Sequence, residues 1–236
     1  MADLKEFVAS EEAKAKAGQL RMFAVLAWII AIAGEIFAIL KLINNDKLTW
    51  LIVTIVIILV LSVAGSMMWK KANRLDPASE KDKTKFFIQN QLGAIMAVIA
   101  FLPLVIFILT DKKIDGKTKG IAGAVAIVAL LAGGISGVDF NPPSIEKYTQ
   151  QINEQTDEIK NLNNGVDQVY WTNAGNKFHL YSDCQHIKNR AQHEGTVKQA
   201  WEERKIGDSE LCKTCKSRAE KKLIEPSSTE EPITNE

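Results

Sequence analysis

Four stretches of this chain are almost free of ionisable side chains: Met22–Leu40, Trp50–Trp69, Leu92–Leu109 and Ile121–Val138, each followed by a polar segment. Each holds about 18–20 residues and would measure roughly 27–30 Å as a helix, enough to cross the hydrocarbon core of a bilayer. A soluble helix repeats polar positions at a period near 3.6. Trp50–Trp69 offers only the hydroxyls of Thr54, Ser62 and Ser66, and no charge. The pattern predicts an all-α membrane protein with four transmembrane helices over 22–138. Short polar joints around Asn44–Asp46 and Asp111–Gly120 make two hairpins of them, which favours an antiparallel bundle. Ala31 and Ala33 form the small-x-small pair of a signal-peptide cleavage site. The apolar run continues past them, however, and residues 1–21 mix both signs of charge, so the first helix is expected to be retained.

Orientation follows from Lys and Arg. Residues 1–21, the 70–91 connection and Lys147 together carry eleven; the opposite side carries six, among them Lys41, Lys47 and the cluster Lys112–Lys119. Both termini are therefore expected in the cytoplasm, with residues 1–21 a short polar or weakly amphipathic helix in which Leu4, Phe7 and Val8 cluster.

Beyond Val138 the pattern changes. Asn141-Pro142-Pro143 cannot continue a helix, and Ser144 can cap a new one. Ile145, Tyr148, Ile152, Gln155, Ile159 and Leu162 alternate at spacings of three and four, a short coiled-coil seam with one polar position, ended by Asn163-Asn164-Gly165. Residues 139–165 thus read as a linker helix, either a solvated spacer or a seam for homo-oligomerisation. Residues 166–223 form a small module, and the tail 224–236, rich in acidic residues, Ser, Thr and Pro, is expected to be disordered.

Averages conceal this segregation. A mean hydropathy of −0.03, 24% charged residues and a net charge of +1 would suit a soluble domain. Cysteine usage adds chemistry. The three cysteines, Cys184, Cys212 and Cys215, fall in one window, too few for a disulfide framework, and His179 lies just before the first. The result is H-x4-C, a spacer, then C-x2-C. Zinc favours four N/S ligands in a tetrahedron, and a closed Cys3His set is a standard structural solution. His186, two residues after Cys184, could displace His179 as the fourth ligand; His193 reads as solvated. The first pair would sit at the end of a strand hairpin, Val169–Thr172 with Lys177–Tyr181, turned at Asn173–Asn176. Thr196-Val197-Lys198-Gln199 has the form of a capping box opening a helix through about Lys205.

The stretch Val169-Tyr170-Trp171-Thr172, Gly175, Phe178-His179, Cys184, then Gly195-Thr196-Val197 with Ala200, and finally Cys212-Lys213-Thr214-Cys215 resembles the Ada-type metal-binding module of bacteria. That module has a "VYWT..G..YH....C" hairpin, a "G(T/S)V..A" helix and a closing "C..C". The resemblance covers Val169–Arg218, with Phe178 in place of the usual Tyr. It implies a small α+β fold and the ligands His179, Cys184, Cys212 and Cys215, the histidine being the one that follows an aromatic residue. No family is suggested for the four-helix region.

Four protein ligands leave no open position for water, and nothing like H-E-x-x-H, a phosphate loop or a nucleophile triad occurs, so zinc is expected to be structural and the protein not an enzyme. Residues 166–223 hold eleven Lys/Arg against eight Asp/Glu, too small a bias to support nucleic acid, although Lys213, Lys216, Arg218, Lys221 and Lys222 cluster. Glu35 is the only ionisable residue in the four spans, and burying its charge in hydrocarbon would cost a few kcal/mol. It is read either as an ion or proton site inside the bundle or as an interfacial group, since Lys41 lies only about 9 Å farther along the helix. Gly133 with Gly137, and Ser62 with Ser66, allow close helix contact, and Pro103 is expected to kink the third helix. The expected partners are the bilayer and an unidentified protein. The expected function is partner binding or metal or redox sensing by the zinc module. A small channel or transporter using Glu35 is the alternative, and a membrane-tethered nucleic-acid binder a weaker one.

Overall fold

The structure is a computed structural model that describes residues 6–173, 175–203 and 209–224. Leu4, Lys5, Lys205 and the tail from Glu225 lie outside the described residues. The chain divides into two compact units, Glu11–Ser144, and Met1–Ser10 together with Ile145–Glu236.

The first unit is helical. α1 (Glu11–Phe37) runs into a π-helical turn, Ala38–Leu42, and a short 3-10 turn, Asn45–Lys47, leads to α2 (Leu48–Leu75). α3 spans Lys83–Thr110 and α4 spans Gly116–Gly137. These four helices are long and apolar enough to cross a membrane. Helix α1 begins well before its apolar run. Glu11 and Glu12 suit the positive end of its dipole, and Ala17 and Leu20 pack against Ala72 and Leu75 of α2. Residues 11–21 ahead of the first span are thus the opening of the same helix, not a short separate one, and residues 6–10 are not helical. Asp82 and Asp115 cap α3 and α4, accepting from the N–H groups of Lys85 (3.0 Å) and Thr118 (2.6 Å).

This unit has a core of Leu51, Ile55, Ile58, Phe101, Leu104 and Ile108, yet much of its apolar surface faces outward. Large side chains such as Val60, Val128 and Ile135 are more than 60% exposed, while Ala31, Ala97, Ala122 and Ala126 are fully buried. Lipid is as apolar as Leu or Val, so leaving such side chains exposed costs little, and close approach of small residues adds to the cohesion. A Cβ on Gly137 would collide with the backbone of Gly93 and Ala94, and one on Gly93 would lie 2.8 Å from Ser66 Oγ. Gly133 faces Phe101 and Ala97. The small residues singled out in the sequence therefore lie at helix crossings. At one end of the unit, Lys70 Nζ donates to the carbonyls of Ser136 and Val138, both at 2.7 Å, satisfying the C-terminus of α4. Arg21 pairs with Asp76 at 2.7 Å.

Glu35 is 3% exposed. Its Oε1 accepts from the backbone N–H of Leu104 at 3.2 Å, the residue after Pro103. A proline inside a helix displaces the carbonyl one turn back and loosens the local ladder. The one acidic side chain of the spans supplies an acceptor beside that point.

The second unit contains α5 (Ile145–Leu162), β1 (Val169–Trp171), β2 (Lys177–Phe178), β3 (His193–Gly195), α6 (Val197–Glu203), β4 (Glu210–Leu211) and α7 (Lys213–Ile224). Tyr148, Ile152 and Ile159, three positions of the α5 seam, are buried within this unit. Tyr148 stacks edge-on against Phe7 and lies 5.3 Å from the Trp201 ring of α6. The polar seam residue is satisfied too: Gln155 accepts from Trp201 Nε1 at 2.7 Å and donates to the Ser209 carbonyl at 2.8 Å. The seam is filled by the chain's own module, which neither a solvated spacer nor an oligomer seam anticipated.

Candidate metal centre

Strand pairing in the module is mostly non-sequential. β1 runs antiparallel to β3, with Val169 opposite Gly195 and Trp171 opposite His193. β2 runs parallel to β4, with Phe178 beside Leu211. The expected hairpin survives as one antiparallel bridge, in which Tyr170 and His179 exchange N–H···O bonds of 2.7 Å. Between them Gly175 turns at φ +104°, a region L side chains rarely adopt. Neither β3 nor β4 was signalled by the sequence, since strands of two or three residues carry too little alternation to detect.

The core under the site is Val169, Trp171, Phe178, Val197 and Ala200. Gly195 is required by close approach, because a Cβ there would lie 2.9 Å from the Trp171 ring and collide with Gln199. The capping box is present: Thr196 Oγ1 accepts from Gln199 N at 3.2 Å, and Gln199 Oε1 accepts from Thr196 N at 2.9 Å.

These elements deliver four donors to one point. The Tyr170 bridge fixes His179. Cys184 follows a turn closed by its N–H to the Tyr181 carbonyl at 3.2 Å. Cys212 leaves β4 with its N–H on the Phe178 carbonyl at 2.9 Å, which brings it beside His179, and Lys216 N donating to Cys212 O at 3.0 Å opens α7. Cys215 lies in the first turn of that helix. All four side chains are buried, and their ligand atoms lie within 4.8 Å of one another. His179 Nδ1 stands 3.7 Å from Cys215 Sγ. A tetrahedron of zinc–sulfur bonds near 2.3 Å would have edges of about 3.8 Å, so modest contraction would close the set around an ion. This buried cluster could hold a metal ion.

The thiols differ in environment. Burial pushes Cys215 up to about 12, aided by its hydrogen bond with Cys184. Burial also opposes ionisation of Cys212, yet the N–H groups of Cys215 and Thr214 aim at its sulfur and, with the neighbouring thiols, hold it below the ordinary thiol range. Those knuckle amides are placed to stabilise a thiolate.

His186 stands apart from the cluster. It is exposed, its ring centroid lies 6.3 Å from that of His179, and its Nε2 is 3.3 Å from Thr214 Oγ1. His193 is more than a solvated side chain: its ring stacks on Trp171 at 6.0 Å. Outside the ligand set, Asp183 pairs with Arg218 at 2.7 Å, and the Arg218 guanidinium lies 4.2 Å from the centre of the Tyr181 ring. Hydrogen bonding from Arg218 lowers the Asp183 pKa. These contacts tie α7 to the turn that carries Cys184, and no sequence motif announced them. No family model, curated protein or solved structure matches this chain.

Proposed function

We propose that this chain is a non-enzymatic multi-pass membrane protein whose Ada-type module holds one structural zinc ion through His179, Cys184, Cys212 and Cys215. In this reading the zinc-set fold faces the cytoplasm, where it binds a protein partner or reports metal or redox state. The observation that carries the proposal is the convergence of four buried N/S donors from separate stretches of chain, all within 4.8 Å. Three sulfurs and one imidazole nitrogen suit zinc, and a closed set of four protein ligands supplies folding energy rather than an activated water. A cytoplasmic location keeps the three thiols reduced and available to metal.

The topology is tested by reporter fusions or cysteine accessibility at both ends of the full chain. Both ends should report the cytoplasmic side. A C-terminus on the other side would remove the argument for a reduced, metal-loaded site.

A second reading, a small channel or transporter, draws on the burial of Glu35 inside the helical unit. The hydrogen bond from Leu104 N gives that carboxyl a packing role which needs no transported ion. The two readings separate in liposomes: only the second requires ion flux that Glu35→Gln abolishes.

A further inference from the structure

We propose that a cavity beside the metal cluster binds the phosphate group of a small phosphorylated molecule. This deepens the reading of the module as a sensor and rests on it for the placement of one wall. The cavity encloses about 460 Å³, and its polar side is formed by Lys177, Arg190, Lys213, His186, Thr172 and Thr214. His179 and Cys212 of the metal cluster back it, and no carboxylate lines it among the described residues. The module as a whole has only a slight basic bias. Three of its eleven basic residues, Lys177, Arg190 and Lys213, line this one concavity.

Compensation inside the cavity is incomplete. Lys177 pairs with Glu210 at 3.3 Å, but Arg190 and Lys213 have no carboxylate partner among the described residues. Cations gathered in a concavity with low-dielectric walls raise the local concentration of anions. The number of donors selects the kind of anion. One guanidinium fork suffices for a carboxylate. A phosphate monoester carries about −1.5 to −2 charges and three strong acceptor oxygens, and calls for several donors. Arg190 offers a fork, Lys213 a point charge, and Thr214, Thr172 and His186 further polar atoms. The backbone amides of Thr214 and Cys215 are turned to the Cys212 sulfur, so side chains must supply the donors. The volume falls in the usual range for small-molecule sites, roughly 300–1,000 Å³, and exceeds what a bare ion would fill.

Lys213 and Thr214 lie between Cys212 and Cys215, inside the knuckle a metal would close. Metal loading and phosphate binding therefore share residues, and whatever effect one has on the affinity of the other is reciprocal.

The test uses the full-length, zinc-loaded protein in detergent micelles, titrated calorimetrically with adenosine 5′-monophosphate, inorganic phosphate, adenosine and a single-stranded oligonucleotide. Zinc content is measured in every sample. Adenosine monophosphate should bind and adenosine should not. Arg190→Gln and Lys213→Gln should each weaken binding by about tenfold or more. Lys188→Gln, outside the cavity, should leave it unchanged. Two charge variants are used so that a folding defect in one does not decide the result. A zinc-loaded protein that binds neither phosphate probe at millimolar concentration overturns the proposal and leaves the metal reading intact. So does binding that both variants leave unaltered, and so does an oligonucleotide that binds more tightly than the monophosphate. Phosphate binding by a chain that never takes up zinc supports the cavity and overturns the metal reading.

Discussion

The two units solve the same problem against different solvents. In Glu11–Ser144 many bulky side chains face outward, alanine and glycine fill the crossings, and Leu51, Ile55, Phe101 and Leu104 make a core between the helices. In the C-terminal unit the order is that of a soluble protein, with Ile152, Ile159, Val169, Trp171, Phe178 and Val197 buried. In the helical unit the backbone is satisfied by long helices, and close approach of small residues adds to the cohesion. In the C-terminal unit the stretch between α5 and α7 has strands of only two or three residues and a short α6, so regular hydrogen bonding does little to fix that part. Its polar cluster sits at the centre of that loosely laddered fold. A small core leaves little net stability once chain entropy is counted, and a metal can make the difference.

If that contrast is right, the largest effect comes from Cys184→Ser or Cys212→Ser. Either should remove on the order of 10 kcal/mol of metal-dependent stability. Fluorescence of Trp171 and Trp201 should change, while helicity of the Glu11–Ser144 unit, read by circular dichroism, persists. The same site fixes a pH dependence. Because burial holds the Cys215 thiol protonated up to about 12, a metal must displace that proton. Metal affinity should therefore fall as pH falls, and the metal retained after dialysis should drop as the buffer is made more acidic.

The reverse pattern is expected of Gly137→Val. It forces a side chain into the backbone of Gly93 and Ala94. The cost should be about 1–3 kcal/mol or more, seen as a lower melting temperature in detergent with metal content unchanged. A smaller, local loss should follow Gln155→Leu, which removes the hydrogen bonds it makes with Trp201 Nε1 and the Ser209 carbonyl. Denaturant unfolding of the C-terminal unit should shift by about 1–3 kcal/mol. Thr196→Ala removes the α6 cap and should cost about 1 kcal/mol by the same measurement.

How much of this was legible depended on the range of the interactions. The apolar runs and the Thr196–Gln199 box are local, and both appear where the sequence places them. The four residues that converge in the buried cluster were singled out from spacing and resemblance, because a knuckle and a nearby H-x4-C carry their geometry in sequence. What eluded the sequence is long-range. The pairing of β1 with β3 and of β2 with β4 joins segments far apart in the chain, through strands too short to show a period. The seam of α5 was visible as periodicity, but periodicity does not say what it packs against, here Trp201 and Phe7. Glu35 and Pro103 were each noticed for separate reasons, and only the fold brings the carboxyl to Leu104 N.

The central claim is that a metal held by His179, Cys184, Cys212 and Cys215 sets the fold of the C-terminal unit. Elemental analysis of the purified full-length chain, followed by chelation and thermal unfolding, tests it most directly. The account predicts about one zinc ion per chain, the count a single closed four-ligand site demands. It further predicts that the cooperative transition of the C-terminal unit is lost when chelator removes that ion. A chain that contains no metal, with a C-terminal unit that still unfolds cooperatively, would contradict it.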